Sequence, residues 1–229
     1  MRRWVRLVAL LALAGCSSLD EGEGGVVALE VELPALQTLE VGEQVQIAAR
    51  ALDADGQVVD AAIAWRSSTG ALTVDAAGLV TAVAPGAADV QATVGSLASE
   101  PIDFTVIAAA DTIIIVGDSV FALPAAASPP ASAVLTVRLE SRSPPGPLPA
   151  RPVIFEITRP EVGATAVVEL AGGVQGDTLN TSAEGTASAT VAAVTGQVPP
   201  DTAIVEVRAN RTRGAPVPGS GQRFILLFQ

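Results

Sequence analysis

The chain has 229 residues, 49% of them hydrophobic and 16% charged, with a net charge of −11 at neutral pH. It holds one cysteine and no histidine, lysine or tyrosine. That composition removes imidazole and amine general bases, serine–histidine and serine–lysine pairs, and zinc sites of cysteine and histidine; it also leaves no intrachain disulfide, and the acid excess opposes nucleic acid.

Arg2, Arg3 and Arg6 open the chain, and residues 7–14 follow as an apolar run without a charge. Crossing a bilayer as a helix takes about 20 apolar residues, so this run is too short. A basic start, a short apolar stretch and small residues before a break form the pattern of a cleaved export signal. The run ends in Leu13-Ala14-Gly15-Cys16, which resembles the lipobox of bacterial lipoproteins. The resemblance implies a diacylglycerol on the Cys16 thiol, removal of residues 1–15 and acylation of the new amino terminus, palmitate included. Each buried methylene contributes about 0.8 kcal/mol, so two or more chains anchor stably. Ser17, where an aspartate would favour inner-membrane retention, implies an outer-membrane address. Loss of the three leading arginines takes the net charge to −14. Residues 16–25 are polar, acidic and glycine-rich, a lipidated flexible tether.

A first domain is expected over residues 26–108. Leu29-Glu30-Val31-Glu32-Leu33 alternates apolar and charged, and Val45, Ile47, Ala49 and Ala51 keep the same period. Ile63 with Trp65, Val90 with Ala92 and Val94, and Ile102 with Phe104 and Val106 continue it. Period two marks half-buried strands, and Val41-Gly42, Asp55-Gly56, Ala77-Gly78 and Pro85-Gly86 mark turns between them. Short strands at this spacing predict an antiparallel β-sandwich or barrel. The order and spacing of Val41-Gly42, Asp55-Gly56, Trp65-Arg66-Ser67-Ser68, Val74-Asp75, Gly78-Leu79-Val80-Thr81-Ala82 and Pro85-Gly86 resemble the group 2 bacterial immunoglobulin-like domain. That resemblance implies a spacer or adhesive sandwich with no catalytic residues. Trp65 is expected to point inward; an exposed Trp65 stacking on a sugar is the alternative. Asp53, Asp55 and Asp60 hint at a calcium loop, but no terminal glutamate closes it, and a hairpin turn accounts for Asp55-Gly56 without metal.

A second sandwich is expected over residues 109–229, after a short join, Ala108-Ala109-Ala110, that restricts swivelling. Residues 112–116 form an apolar run suited to a buried strand. Leu135, Val137 and Leu139 alternate with Thr136 and Arg138, Val153, Phe155 and Ile157 with Ile154 and Glu156, and Ala203, Val205 and Val207 with Ile204 and Glu206, and residues 224–228 make a closing strand. Residues 143–152 carry five prolines and read as an extended surface loop. A proline-rich approach to Val153-Ile154-Phe155, followed by residues 181–185 and Ala187-Ser188-Ala189-Thr190-Val191, resembles the immunoglobulin-like repeats of invasin and intimin. Arg208, Arg211 and Arg213 form a basic cluster able to hold an anionic group of a polysaccharide or lipid, though such a tip is more often solvated or paired with acids of a neighbour, and the first domain is the candidate neighbour. That neighbour is acidic, since residues 20–108 carry 14 acids against Arg50 and Arg66.

These features predict a lipid-anchored protein of the bacterial cell envelope, all-β, with two tandem immunoglobulin-like sandwiches, no cofactor, no metal and no catalysis. Two functions fit: binding or adhesion to a protein or glycan, and a structural spacer or accessory subunit of an envelope complex.

Overall fold

The computed structural model describes residues 25–161 and 166–229, so Cys16 and the export signal lie outside the described residues. Strands β1 (Ala28–Glu32), β2 (Thr38–Glu40), β3 (Gln44–Gln46), β4 (Ala48–Leu52), β5 (Val58–Val59), β6 (Ala64–Ser67), β7 (Leu72–Val74), β8 (Leu79–Ala82), β9 (Gly86–Val94), β10 (Leu97–Ala98) and β11 (Ile102–Ile107) build the first sandwich. One layer runs β10-β9-β11-β2, with β6 also paired to β9. The facing layer consists of β1-β4-β5 and β3-β8-β7, joined because β3 and β4 are one run interrupted at Ile47.

Strands β12 (Thr112–Ile115), β13 (Val120–Leu123), β14 (Ser132–Arg142), β15 (Pro145–Pro147), β16 (Pro152–Arg159), β17 (Val168–Leu170), β18 (Gly176–Asn180), β19 (Thr186–Ala193), β20 (Thr202–Arg208) and β21 (Gln222–Phe228) build the second sandwich. Its layers are β12-β14-β19-β17, with β15 on β14, and β13-β21-β20-β16-β18. Both sandwiches repeat one device. The opening strand pairs antiparallel in one layer (β1 on β4, β12 on β14), then crosses to pair parallel with the last strand of the other (β2 on β11, β13 on β21). That crossover ties the two layers together at the edge of each sandwich.

Alternation in sequence becomes alternation in burial. Ala88, Val90, Ala92 and Val94 of β9 point inward against Ile102, Phe104 and Val106 of β11, while Asp89, Gln91 and Thr93 stay at the surface side. Leu39, Ile47, Leu72 and Val80 complete the first core. In the second, Phe155, Phe224, Leu135, Ile157 and Leu226 are fully buried, each contributing roughly 1.5–3 kcal/mol of apolar burial.

Three sequence expectations are corrected. Leu33 does not extend the buried face of β1; it is 64% exposed, because the chain turns at Pro34 toward the other layer. The run at 112–116 is an edge strand with Ile113 alone buried and Val116 exposed, since β12 pairs with β14 on one side only. The proline segment is not ladder-free: Pro145, Gly146 and Pro147 pair with Arg142, Ser141 and Glu140. Prolines still offer carbonyl acceptors, and an edge position spares the missing N–H.

The tight turns share a design. Asp53 Oδ1 accepts hydrogen bonds from the N–H groups of Asp55 and Gln57, and Asp75 Oδ1 accepts from those of Ala77 and Leu79. In each, a glycine three residues after the aspartate takes a positive φ. The Asp53 carboxylate is therefore committed to its own hairpin, and no cluster of three or more potential metal-ligating side chains occurs among the described residues. Gly78 and Gly56 hold equivalent places but differ in surroundings. A Cβ on Gly78 would lie 2.5 Å from the Ile47 carbonyl oxygen and 3.2 Å from the Trp65 ring, whereas one on Gly56 meets nothing within 4 Å. Gly56→Ala is expected to cost about 1 kcal/mol from backbone strain alone, and Gly78→Ala at least twice that. Urea midpoints of the two variants, compared at equal m-value, check the difference.

Candidate functional site

The two sandwiches meet at a turn from each. In the first, Glu40-Val41-Gly42-Glu43 follows β2; the Glu43 N–H donates to the Glu40 carbonyl at 2.8 Å, and the Glu40 N–H donates to Glu43 Oε2 at 2.9 Å. In the second, residues 211–215 make a hairpin with the glycine spacing of the aspartate turns but without their side-chain cap: Gly214 N–H donates to the Arg211 carbonyl and Arg211 N–H to that of Ala215. The arginine turn docks onto the glutamate turn.

Glu40 is the centre of the contact. Its side chain has no solvent exposure. Oε2 accepts from the Ala110 N–H at 2.8 Å, and Oε1 accepts from the Thr212 N–H at 3.2 Å. Arg151 Nη1 lies 3.1 Å from Oε1 and Arg211 Nε 3.9 Å from Oε2. The two guanidiniums are held by the join itself: Arg151 Nη2 donates to the Ala108 carbonyl at 2.7 Å, and Arg211 Nε to that of Ala110 at 3.1 Å. Arg211 also pairs with Asp111 at 3.0 Å. Thr212 Oγ1 donates to Glu43 Oε2 at 3.1 Å. Glu40 and Asp111 thus meet Arg151 and Arg211, and a third acid, Glu43, borders the group through Thr212. A buried carboxylate is tolerated when its lone pairs are occupied and its charge is matched, as both are here. Ala109 and Ala110 are buried in the same contact.

The three arginines of the sequence cluster go to three places. Arg208 ends β20 on the outer face of its sheet, pairing with Glu206 at 2.8 Å and Glu156 at 3.1 Å. Glu206 also meets Arg223 at 3.3 Å. The Arg208 hydrogen bond, helped by Arg223 and opposed by burial, holds the Glu206 carboxyl below its ordinary value of 4.5. Arg211 enters the joint. Arg213, at the tip of the turn, is exposed and lines a cleft of about 500 Å³ with Glu32, Leu33, Pro34, Ala35 and residues 45–48 of the first sandwich.

Trp65 packs against the first core and is partly buried, its ring over Gly78. It also borders a shallow pocket of about 270 Å³ with Ile63, Ala76 and Ala77. Glu40, Arg151 and Thr212 were not singled out by the sequence. The one available signal was the acidity of the first half beside arginines in the second.

Residues 33–102 match the family model of the bacterial Ig-like domain (group 2). No curated protein matches the chain. Among solved structures, the chain is similar in fold to the Yersinia pseudotuberculosis adhesin InvE, at 20% identity and a TM-score of 0.39 over 88% of this chain and 58% of that one. Domains 4 and 5 of the S-layer protein SbsC align at 17% identity and a TM-score of 0.33, over 89% of this chain and 98% of that one. The fibronectin(III)-like modules of Clostridium thermocellum CbhA align at 13% identity and a TM-score of 0.38, over 88% and 94%. The chain therefore spans little more than half of the InvE chain.

Removing Glu40 tests the joint. Glu40→Ala strands Arg151 and the N–H groups of Ala110 and Thr212, at a cost of about 3 kcal/mol. Calorimetry is expected to show one cooperative transition in the wild type and two separate ones in the variant. The outer ladder makes a second prediction. A carboxyl with a lowered pKa stabilises the fold above its unfolded value, and that contribution fades as pH falls through the folded one. The NMR titration midpoint of Glu206 is expected below 4.5 and should move upward in Arg208→Ala.

Proposed function

We propose that this chain is a lipid-anchored protein of the bacterial cell envelope whose two immunoglobulin-like sandwiches form one rigid arm for binding a protein or glycan. The buried Glu40 group carries the reading. Tandem domains move relative to one another unless their interface restrains them, and a short join alone only narrows the range. Here a carboxylate with donors from Ala110, Arg151 and Thr212 restrains them. A rigid arm loses less entropy when its far end engages a ligand, so affinity gains from preorganisation.

The direction of the arm supports anchoring at its near end. β2 runs parallel to β11 and β11 ends at the joint, so the first sandwich is entered from the opposite pole, where Val26 packs with Ala51 and Val94. An acylated Cys16 would attach at that pole and hold the second sandwich outward. The group 2 match agrees with a surface module, and the residue types that remain support binding rather than catalysis. The spacer or accessory-subunit reading draws on the same rigid joint.

Fractionation tests the anchor. Cys16→Ser is expected to move the protein from the membrane to the soluble fraction, and a variant that stays with membranes sinks the anchored reading. Purified ectodomain that binds an envelope or host polymer supports the adhesive reading. A stoichiometric envelope partner recovered from detergent-solubilised membranes supports the subunit reading instead.

A further inference from the structure

The cleft beside Arg213 is bordered by an open strand edge. Glu43, Val45 and Ile47 exchange their main-chain hydrogen bonds with the β8 side: Ala82 N–H donates to the Glu43 carbonyl, and Ile47 N–H to that of Gly78. In an antiparallel pair the intervening residues face the other way, so the N–H and C=O groups of Gln44 and Gln46 point away from β8. β3 is the terminal strand of its sheet, with no partner on that side among the described residues. The β1 register pairs Glu32 with Ala48, and two residues further it would set Pro34 against Gln46. Proline has no N–H to give, and the chain leaves the layer there to form β2. Gln46 folds its own amide back onto the carbonyls of Ile47 and Ala77, which leaves the edge uncovered.

The surroundings define what fits. Leu33, 64% exposed, supplies an apolar flank with Pro34 and Ala35. At the Gln44 end the arginine turn of the second sandwich stands across the edge, since Thr212 bonds to Glu43 there, and it presents Arg213 to the cleft. Glu32 lines the opposite end of the cleft, so an acid is favoured only at the Arg213 end. We propose that this cleft binds the C-terminal tail of a polypeptide, which adds a short antiparallel strand to the edge of β3 and sets its terminal carboxylate against Arg213. Such a tail continues the direction of β1 and stops where the second sandwich blocks its path, which suits a chain end. Main-chain pairing supplies general affinity, and the arginine selects the carboxylate. The inference rests on the binding reading above, and it makes the rigid joint part of the site, because each sandwich contributes one wall.

The probe is the peptide acetyl-Thr-Val-Ser-Val-Ala with a free carboxylate, titrated into the full chain by calorimetry and amide NMR. Binding is expected with shifts at Gln44 and Gln46. The same peptide as a carboxamide, and Arg213→Ala with the free acid, should each bind about tenfold more weakly. Arg159→Ala, an exposed arginine on the far strand end, should leave binding unchanged. No binding, equal affinity of acid and carboxamide, or an unaffected Arg213→Ala overturns the proposal. Equal binding of acetyl-Thr-Val-Ser-Val-Asp-carboxamide would assign the site to an acidic side chain and overturn the tail. If the ectodomain engages an envelope target while the peptides fail, the binding reading stands and the cleft proposal falls.

Discussion

The arrangement of this molecule depends on one buried carboxylate. Glu40 sits at the end of β2 with no solvent exposure and receives donors from residues 110, 151 and 212. A patch of apolar side chains at the same place would tolerate sliding, because hydrophobic contact is non-directional. A carboxylate has fixed lone pairs, and each donor reaches it from a different segment. Those constraints are met together in one relative orientation of the sandwiches. Geometry at the joint thus fixes what lies on either side of it, including the wall that Arg213 adds to the neighbouring cleft.

The same strand that carries Glu40 also explains the open edge nearby. In both sandwiches the opening strand changes layers, which sets its second half beside the final strand and, in the first, buries Leu39 and Glu40. The exchange brings Glu40 to the pole where β11 ends and the join begins. It also withdraws the chain from β3, leaving Gln44 and Gln46 without a partner on one side. Crossover, joint and cleft are three consequences of the turn at Pro34.

Much of the fold was legible in the sequence, because strand alternation is local. β9, β11, β14, β16 and β20 each show period two in residues and again in burial. The turns were legible for the same reason: an aspartate and a glycine three apart encode their own hydrogen bonds. The joint was not. Leu39 and Glu40 are adjacent and both buried, which breaks the alternation, and a charged residue at a strand end ordinarily reads as solvated. Its partners lie 70 and 172 residues away in sequence. Nor could spacing separate Arg208, Arg211 and Arg213. Within six positions the chain passes from a sheet face to the first position of a turn and then to its tip, so one residue type meets three environments.

Charge completes the picture. The first sandwich is strongly acidic and the second nearly balanced, yet within the contact Glu40 and Asp111 are matched by Arg151 and Arg211. Exposed pairs such as those of Arg208 and Arg223 with Glu206 contribute little and weaken with salt, since ions screen charges beyond roughly 8 Å at physiological strength. Glu40 is shielded from that screening by its burial. The acidic surface can then repel other macromolecules over a distance without loosening the joint, because the two effects operate in different dielectric surroundings. The fold separates them by keeping repulsion on the outer faces and placing the matched group where water does not reach.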